Sequence, residues 1–340
     1  MTDFDVDNPS PEKARLEYQN FLNEFENSDD SEENTIHKLT KNISHMEPES
    51  LYRYRAVNTN NLEALLSDRL YFSEPQYFND PFDCSFFVDI NKARDELINK
   101  TNQRQNGEKS YYSQLSKDTV EDLLFKFDYR DTDNYLATLK YLLDLMGNEI
   151  NNMKDFPNTI PFEYIIEKIH NTYFHKIRSN IGVVCLSETK ISNLMWSHYA
   201  DSHKGFVLEY DFDNSFKTEY SGILFPVIYT DKRCDITKQI INTMRGIIDD
   251  GKIDVLNRMD MIKISTYKGN EWGYEKEWRI ISFNNAPYAT IKPKAIYLGL
   301  GMSCTDKAII HKVIEGKDLR IYQMYTDENE QEYSLNFKMI

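Results

Sequence analysis

The sequence predicts an α+β fold, and three observations predict it. Strand-like runs gather at 51–90 and again from 182 onward, a long polar stretch of helical spacing separates them, and helix and strand do not alternate regularly. Tyr (23) and Phe (19) are plentiful while Gly (12) and Pro (10) are scarce, which suits a mixed protein better than a Gly-rich barrel. A 340-residue chain that is 40% hydrophobic can bury a substantial core.

Residues 1–48 read as an acidic N-terminal arm, partly helical. Ser10-Pro11 is a helix start, with apolar positions at Leu16, Phe21, Leu22 and Phe25, and the stretch ENSDDSEEN behind it reads as a hinge. The arm is expected to be loosely held and solvated, with docking as the alternative. Residues 1–50 hold 13 Asp/Glu against 4 Lys/Arg and so carry most of the net charge of −15.

Residues 49–340 then form the α+β domain. Leu51–Tyr54 alternates as a strand, Asn60–Leu66 is a short helix capped by Asn60 or Asn61, and Leu70–Phe72 is extended again. Phe78-Asn79-Asp80-Pro81-Phe82-Asp83 is turn chemistry between aromatics. A helical insertion is expected at about 91–180, with apolar spacing around 119–127, 134–145 and 162–177. Strand-like runs follow at 183–187, 194–200 (read alternatively as a helix), 204–210, 224–229, 278–283, 295–299 and 320–324. Helices near 238–248, 255–266 and 306–315 lie among them.

Several function classes are disfavoured. The charge gives no basic footprint for nucleic acid. Cys84, Cys185, Cys234 and Cys304 are widely spaced, without a Cys-x-x-Cys pair, so neither a zinc cluster nor a disulfide framework is expected. No secretory signal or membrane-length apolar run appears, and the expected location is cytoplasmic, with no membrane partner. His198 and His203 stand five apart, the wrong interval for one helical face, and no metal is expected. Gly299-Leu300-Gly301 lacks the third glycine of a dinucleotide fingerprint. Cys185 reads as packing within a strand.

Four groups of residues carry chemistry. Glu275 and Glu277, two apart before Trp278–Phe283, would share one face of an extended chain, either as a paired acid or as a solvated edge. Tyr52 and Tyr54 would face one side of their strand and Arg53 and Arg55 the other, as an anion fork or as edge decoration. Asn79, Asp80 and Asp83 are either a polar clamp or turn caps. Trp196 and Tyr199, three apart on a helix with His198 beside them, are a stacking platform or ordinary core.

Together these blocks resemble the bacterial family called domain of unknown function 2971 (DUF2971). The matching residues are LYRYR, NLEALLSDRLYFSEPQYFNDPFD, VVCLSETKISNLMWSHYADSHKGFVLEYD and YEKEWRII, covering about 51–90 and 183–300. More distantly the layout is similar to ADP-ribosyltransferase-type folds, with a mixed or antiparallel sheet core. That resemblance implies Arg53 at the opening strand, Ser187 or Tyr199 in the middle and Glu277, with Glu275 as its companion, at the late strand. Arg stands where His is commoner.

It also implies NAD as substrate, with ADP-ribose passed to a macromolecule or to water, in the setting of a bacterial stress or anti-phage effector. A carboxylate beside the ribose would stabilise the oxocarbenium-like state, kept ionised by Arg279 or Lys276. Arg53 would hold phosphates, and an aromatic would stack on nicotinamide. Two alternatives stand beside this reading. One is a non-catalytic nucleotide-binding module using Arg53, Asp80 and Trp196. The other is a metal-assisted nuclease using Asp80, Asp83, Glu209 and Glu277.

Overall fold

The computed structural model describes residues 11–25, 32–43, 47–93, 95–96, 114–116, 159–161, 170, 174–175, 177–179, 181–211, 224–242, 256–283 and 286–340. The chain divides into two compact units, one of residues 1–83, 180–232 and 265–340, the other of 84–179 and 233–264. The expected insertion at 91–180 therefore differs in extent from the second unit, which also takes in 233–264. The helices expected around 119–127 and 134–145 lie outside the described residues.

In chain order the described elements begin with α1 (Pro11–Phe25), α2 (Glu32–Ile43), β1 (Ser50–Arg55), α3 (Thr59–Leu66), β2 (Arg69–Tyr71), a 3₁₀ turn at Pro75–Tyr77 and β3 (Phe86–Phe87). Next come β4 (Gln114–Ser116), β5 (Thr159–Pro161), β6 (Gly182–Ser187), α4 (Asn193–Tyr199), β7 (Phe206–Asp211), β8 (Leu224–Pro226), β9 (Ile228–Thr230) and β10 (Cys234–Asp235). The chain closes with α5 (Arg258–Thr266), β11 (Tyr267–Gly269), a 3₁₀ segment at Asn270–Glu275, β12 (Glu277–Ser282), β13 (Tyr288–Thr290), β14 (Ala295–Leu298), α6 (Cys304–Val313), β15 (Arg320–Tyr325) and β16 (Asn336–Met339).

The first unit is an α+β structure built on an eight-stranded sheet of order β16-β15-β14-β7-β1-β6-β12-β8. Every pair is antiparallel except β14 with β15, which α6 joins as a parallel crossover. In the second unit, β3 pairs with β10 and β4 with β5.

The sheet is not evenly zipped. β1 pairs with β7 over all six residues, and β6 pairs with β12 over all six. Between β1 and β6 only Tyr52 and Ser187 are partners. Two well-formed halves thus meet at a single pair and splay apart beyond it. Ser73 covers part of the free edge of β6 by exchanging hydrogen bonds with Val183 at 2.9 and 3.0 Å. Residues 53–55 and 185–186 border the opening that remains.

Close approach of backbones seals the far end of β1. A Cβ on Gly205 would stand 2.1 Å from the Arg55 carbonyl oxygen, and one on Gly299 equally close to that of His203. Gly299 and Gly301 therefore serve strand and turn contacts rather than a dinucleotide.

Local rules account for the helix that matters most. Ser192 caps α4 by accepting from Met195 N, and Met195 and Trp196 turn inward. α3 is capped by Asn58, which accepts from Asn61 N at 2.9 Å, so the cap stands two residues before Asn60 and three before Asn61, the two asparagines expected. The run 224–229 is two strands, because the chain leaves the large sheet at Val227 and β9 pairs instead with β11.

The N-terminal arm departs furthest from expectation. α1 buries Ala14, Tyr18 and Leu22, spaced by four, and leaves Leu16 exposed. Tyr18 stacks on Phe225 with centroids 6.1 Å apart and hydrogen-bonds Thr266 at 3.0 Å. α2 buries Thr35, Leu39 and Ile43 at the same spacing, within what reads in sequence as solvated arm. A stripe of Ala14, Tyr18 and Leu22 broken by charged neighbours is a weak apolar signal in sequence, yet it is the face that packs.

Candidate functional site

Where β1 and β6 part, a cavity of about 370 Å³ opens. It is bordered by four consecutive residues of β1, Tyr52 to Arg55, and by Cys185, Leu186 and Ser187 of β6. Successive strand residues point to opposite faces, so a cavity touched by all of them lies at the strand edges, in the split itself.

One wall is cationic. Arg53 is 6% exposed, and its Nη1 donates to the Cys185 carbonyl at 2.7 Å, while its Nε is buried without a hydrogen-bond partner. Burial pulls its pKa down, and Arg55 beside it is pushed down to about 9 by burial and then by the charge of Arg53. Neither makes an ion pair among the described residues. Two neighbouring guanidiniums without a direct ion pair, with Glu277 acting on Arg53 only from a distance, leave a preference for an anion. Edge decoration is excluded by the burial of Arg53.

The opposite wall is a cluster of three carboxylates and two cations. Arg279, fully buried, forks onto Asp83 at 2.7 and 2.8 Å, onto Glu277 at 2.9 and 3.1 Å, and donates to the Ser265 carbonyl at 2.7 Å. Lys268 Nζ lies 2.5 Å from Glu275, 3.1 Å from Glu277 and 3.4 Å from Asp83. With all five ionised, the cluster keeps one net negative charge facing two unpaired arginines.

The two glutamates do not share a strand face. Glu275 ends the 3₁₀ segment, Lys276 is left-handed at φ 45°, and the strand starts only at Glu277. That turn, not period-2 alternation, brings both carboxylates to Lys268. Lys276 points to solvent, so Arg279 and Lys268 hold the charge on Glu277. Lys268 carries no motif, and nothing in its own neighbourhood of sequence marks it; the loop geometry makes it central.

The environments of the pair differ. Burial opposes ionisation of Glu277, but Arg279 and Lys268 outweigh it and hold its pKa far below 4.5. Burial and the charge of Glu277 push Glu275 upward, against Lys268 and the Tyr199 hydroxyl. Tyr199 Oη donates to Glu275 Oε1 at 2.5 Å, and Ser187 Oγ donates to the Glu275 carbonyl at 2.6 Å. Both middle-strand alternatives thus serve the same glutamate, one at its side chain and one at its backbone.

A pH dependence follows from these opposite shifts. A depressed carboxylate contributes stability that is complete above 4.5 and lost as pH falls through its folded value. Glu275, shifted upward, contributes in the other sense, favouring the fold below 4.5 and losing that contribution as pH rises. Tm is therefore expected to fall steeply below about pH 4.5 in the native chain and less steeply in Glu277→Gln. Parallel thermal scans between pH 3 and 7 check this; equal slopes would remove Glu277 from the account.

Other expected site residues are distributed unevenly. Asn79 lies at the rim, 3.4 Å from Tyr199 Oη, and His198 lines the cavity with Nδ1 at 2.9 Å from Tyr274 Oη. Asp80 is a turn cap: its Oδ1 accepts from Phe82 N at 2.8 Å, which steers Asp83 toward Arg279. Trp196 is no stacking platform. It is fully buried, edge-on to Tyr54 at 5.5 Å, and its indole donates to the Lys190 carbonyl at 2.8 Å. The helix turns Trp196 to the core and Tyr199 to the cleft, so spacing of three does not keep them together here. Arg279 supports the wall without lining the cavity.

The four nuclease carboxylates do not converge. Glu209 is held by Tyr297 Oη at 2.5 Å and Lys294 at 3.4 Å, while Asp83 and Glu277 are held by Arg279 and Lys268. Among the described residues no group of three His, Cys, Asp or Glu is placed to hold a metal ion. Cys185 reaches the cavity, but burial raises its thiol pKa well above the ordinary value. No helix among the described residues is long and apolar enough to cross a membrane.

Residues 195–280, from α4 through Lys268 and both glutamates to β12, match the family model described as protein of unknown function (DUF2971). That segment is similar to the DUF2971 family. No curated protein and no solved structure matches the chain. The matched segment supplies Glu275, Glu277, Lys268, Arg279 and most of α4, whereas Asp83 with its loop at 73–83, β1 with its two arginines, and β6 lie outside the matched residues. The cleft is thus assembled from the matched segment and from residues outside it.

Proposed function

We propose that this cleft binds NAD and cleaves its nicotinamide–ribose bond, passing ADP-ribose to a macromolecule or to water, on a fold of the ADP-ribosyltransferase type. One observation carries the reading: unpaired Arg53 and Arg55 and the net-negative Asp83–Glu275–Glu277 cluster line one cavity. A diphosphate meets the two arginines. The ribose then lies toward the glutamates, and the nicotinamide ring toward His198 and Tyr199.

As the bond breaks, its electron pair leaves with nicotinamide and the ribose becomes a cation. Glu277, held ionised, stabilises that cation by preorganised charge.

A second reading is favoured by a specific contact set. Both oxygens of Glu277 are already engaged by Arg279 and Lys268, which suits a binding module that never turns over its ligand. Incubation with NAD separates the two readings. Free nicotinamide supports cleavage; saturable NAD binding without nicotinamide supports the module; no binding of NAD or ADP-ribose removes both. Arg53→Gln is expected to weaken ADP-ribose binding by about 10–100-fold in calorimetry. Unchanged affinity would take Arg53 out of the site.

A further inference from the structure

We propose that Arg15 of the N-terminal helix is a positioning residue for Glu277, gripping the strand from behind so that the carboxylate stays aimed into the cleft. The proposal rests on the reading of the cleft given above and adds to it a control point outside the DUF2971 segment.

The need for such a grip is visible in the register. β12 pairs with β8 only from Trp278 to Ile280, because β8 ends at Pro226. Glu277 lies one residue beyond, where the neighbouring chain has left the large sheet. On that side its peptide is fixed piecemeal. Its N–H donates to Tyr229 Oη at 2.8 Å, and its carbonyl accepts from Val227 N at 3.0 Å.

Arg15 completes the set. Its Nη2 donates to the Glu277 carbonyl at 3.4 Å, and its Nε donates to the Val227 carbonyl at 3.1 Å. Nη2 also pairs with Glu188 Oε1 at 2.8 Å, the oxygen that accepts the Trp278 indole N–H at 2.7 Å. One guanidinium thus ties together the residue before β9, the residue after β6 and the first residue of β12. The same group lies 5.8 Å from the ring centre of Tyr229.

Arg15 is set apart within its own helix. Between positions 12 and 24 every other charged residue of α1 is exposed, whereas Arg15 is turned inward beside the packed Ala14 and Tyr18. A planar fork suits this task, since two carbonyls and a carboxylate must be met at once. Misplacing a catalytic carboxylate by a fraction of an ångström is costly even when the cause lies outside the cleft.

The test uses the full chain with Arg15→Ala and Arg15→Lys. It measures nicotinamide release, ADP-ribose affinity, Tm and the carbon-13 titration of the Glu277 carboxyl. Arg15→Ala is expected to lower kcat about tenfold while KM and the ADP-ribose Kd stay within about twofold, because Arg53 is untouched. The Glu277 titration should move up toward the ordinary carboxylate range. Arg15→Lys, able to keep the ion pair but not both carbonyl contacts, should fall between.

A lower Tm with native kcat and native Glu277 titration would overturn the proposal and leave Arg15 a purely structural anchor. If the native chain releases no nicotinamide, the NAD reading fails on its own and the titration alone decides the grip. Should Arg15→Ala fail to fold, Tyr229→Phe, which removes the oxygen held by the Glu277 N–H, carries the same comparison.

Discussion

Glu277→Gln is expected to reduce nicotinamide release by about 10²–10³-fold, the usual cost of removing one preorganised electrostatic stabiliser. The charge balance explains why so much rests on this residue. Asp83, Glu275 and Glu277 face Lys268 and Arg279, so neutralising one carboxylate leaves the wall with no net charge to offer a developing cation. The glutamine is not structurally silent. It weakens charge-assisted bonds to two buried cations, and a loss of about 1–3 kcal/mol is expected, since both cations retain other partners.

Activity and stability must therefore be read together. Asp83→Asn supplies the comparison, for it perturbs the same ion network through Arg279. A much larger activity loss in Glu277→Gln than in Asp83→Asn, at similar Tm, assigns the effect to the glutamate itself. Equal losses would mean that network charge, not this carboxylate, is what the reaction uses.

Arg279→Met is expected to be the most destabilising single change, by about 3–5 kcal/mol in urea unfolding. Arg279 is fully buried and meets Asp83, Glu277 and the Ser265 carbonyl, so its loss takes the forked cation away from two buried carboxylates. Arg279→Lys should recover little, because an ammonium cannot fork onto both acids. Removing Asp83 as well, in Arg279→Met with Asp83→Leu, should restore part of the loss by deleting one buried charge. A single-variant effect below about 1 kcal/mol would show that water reaches the network and screens it.

Much of the site is legible in the sequence. LYRYR predicts a strand that presents arginines, NDPFD predicts a turn, and YEKEWRII predicts carboxylates at the mouth of a strand. Each is a local rule of alternation or turn chemistry, and β1, the Asp80 cap and β12 follow from it. What misled was the extension of such rules across a boundary. Glu275 and Glu277 look like strand neighbours, but the left-handed Lys276 stands between two kinds of backbone. Trp196 and Tyr199 look like one helix face, but α4 is short and lies between core and cleft, so the two rings part.

By itself the sequence determined the class of fold, the run of strands that carries both walls, and which side chains bear charge, because periodicity and residue chemistry are properties of neighbours. Only the tertiary structure decided that β1 and β6 separate after one pair, that one Lys268 bridges two glutamates, and that the N-terminal helix reaches Glu277. The first and the last depend on segments more than a hundred residues apart, the second on the turn that leads from β11 into β12, and all of them on which buried charges find partners. No local pattern encodes whether a buried arginine will end up paired, as Arg279 is, or facing an open cavity, as Arg53 does.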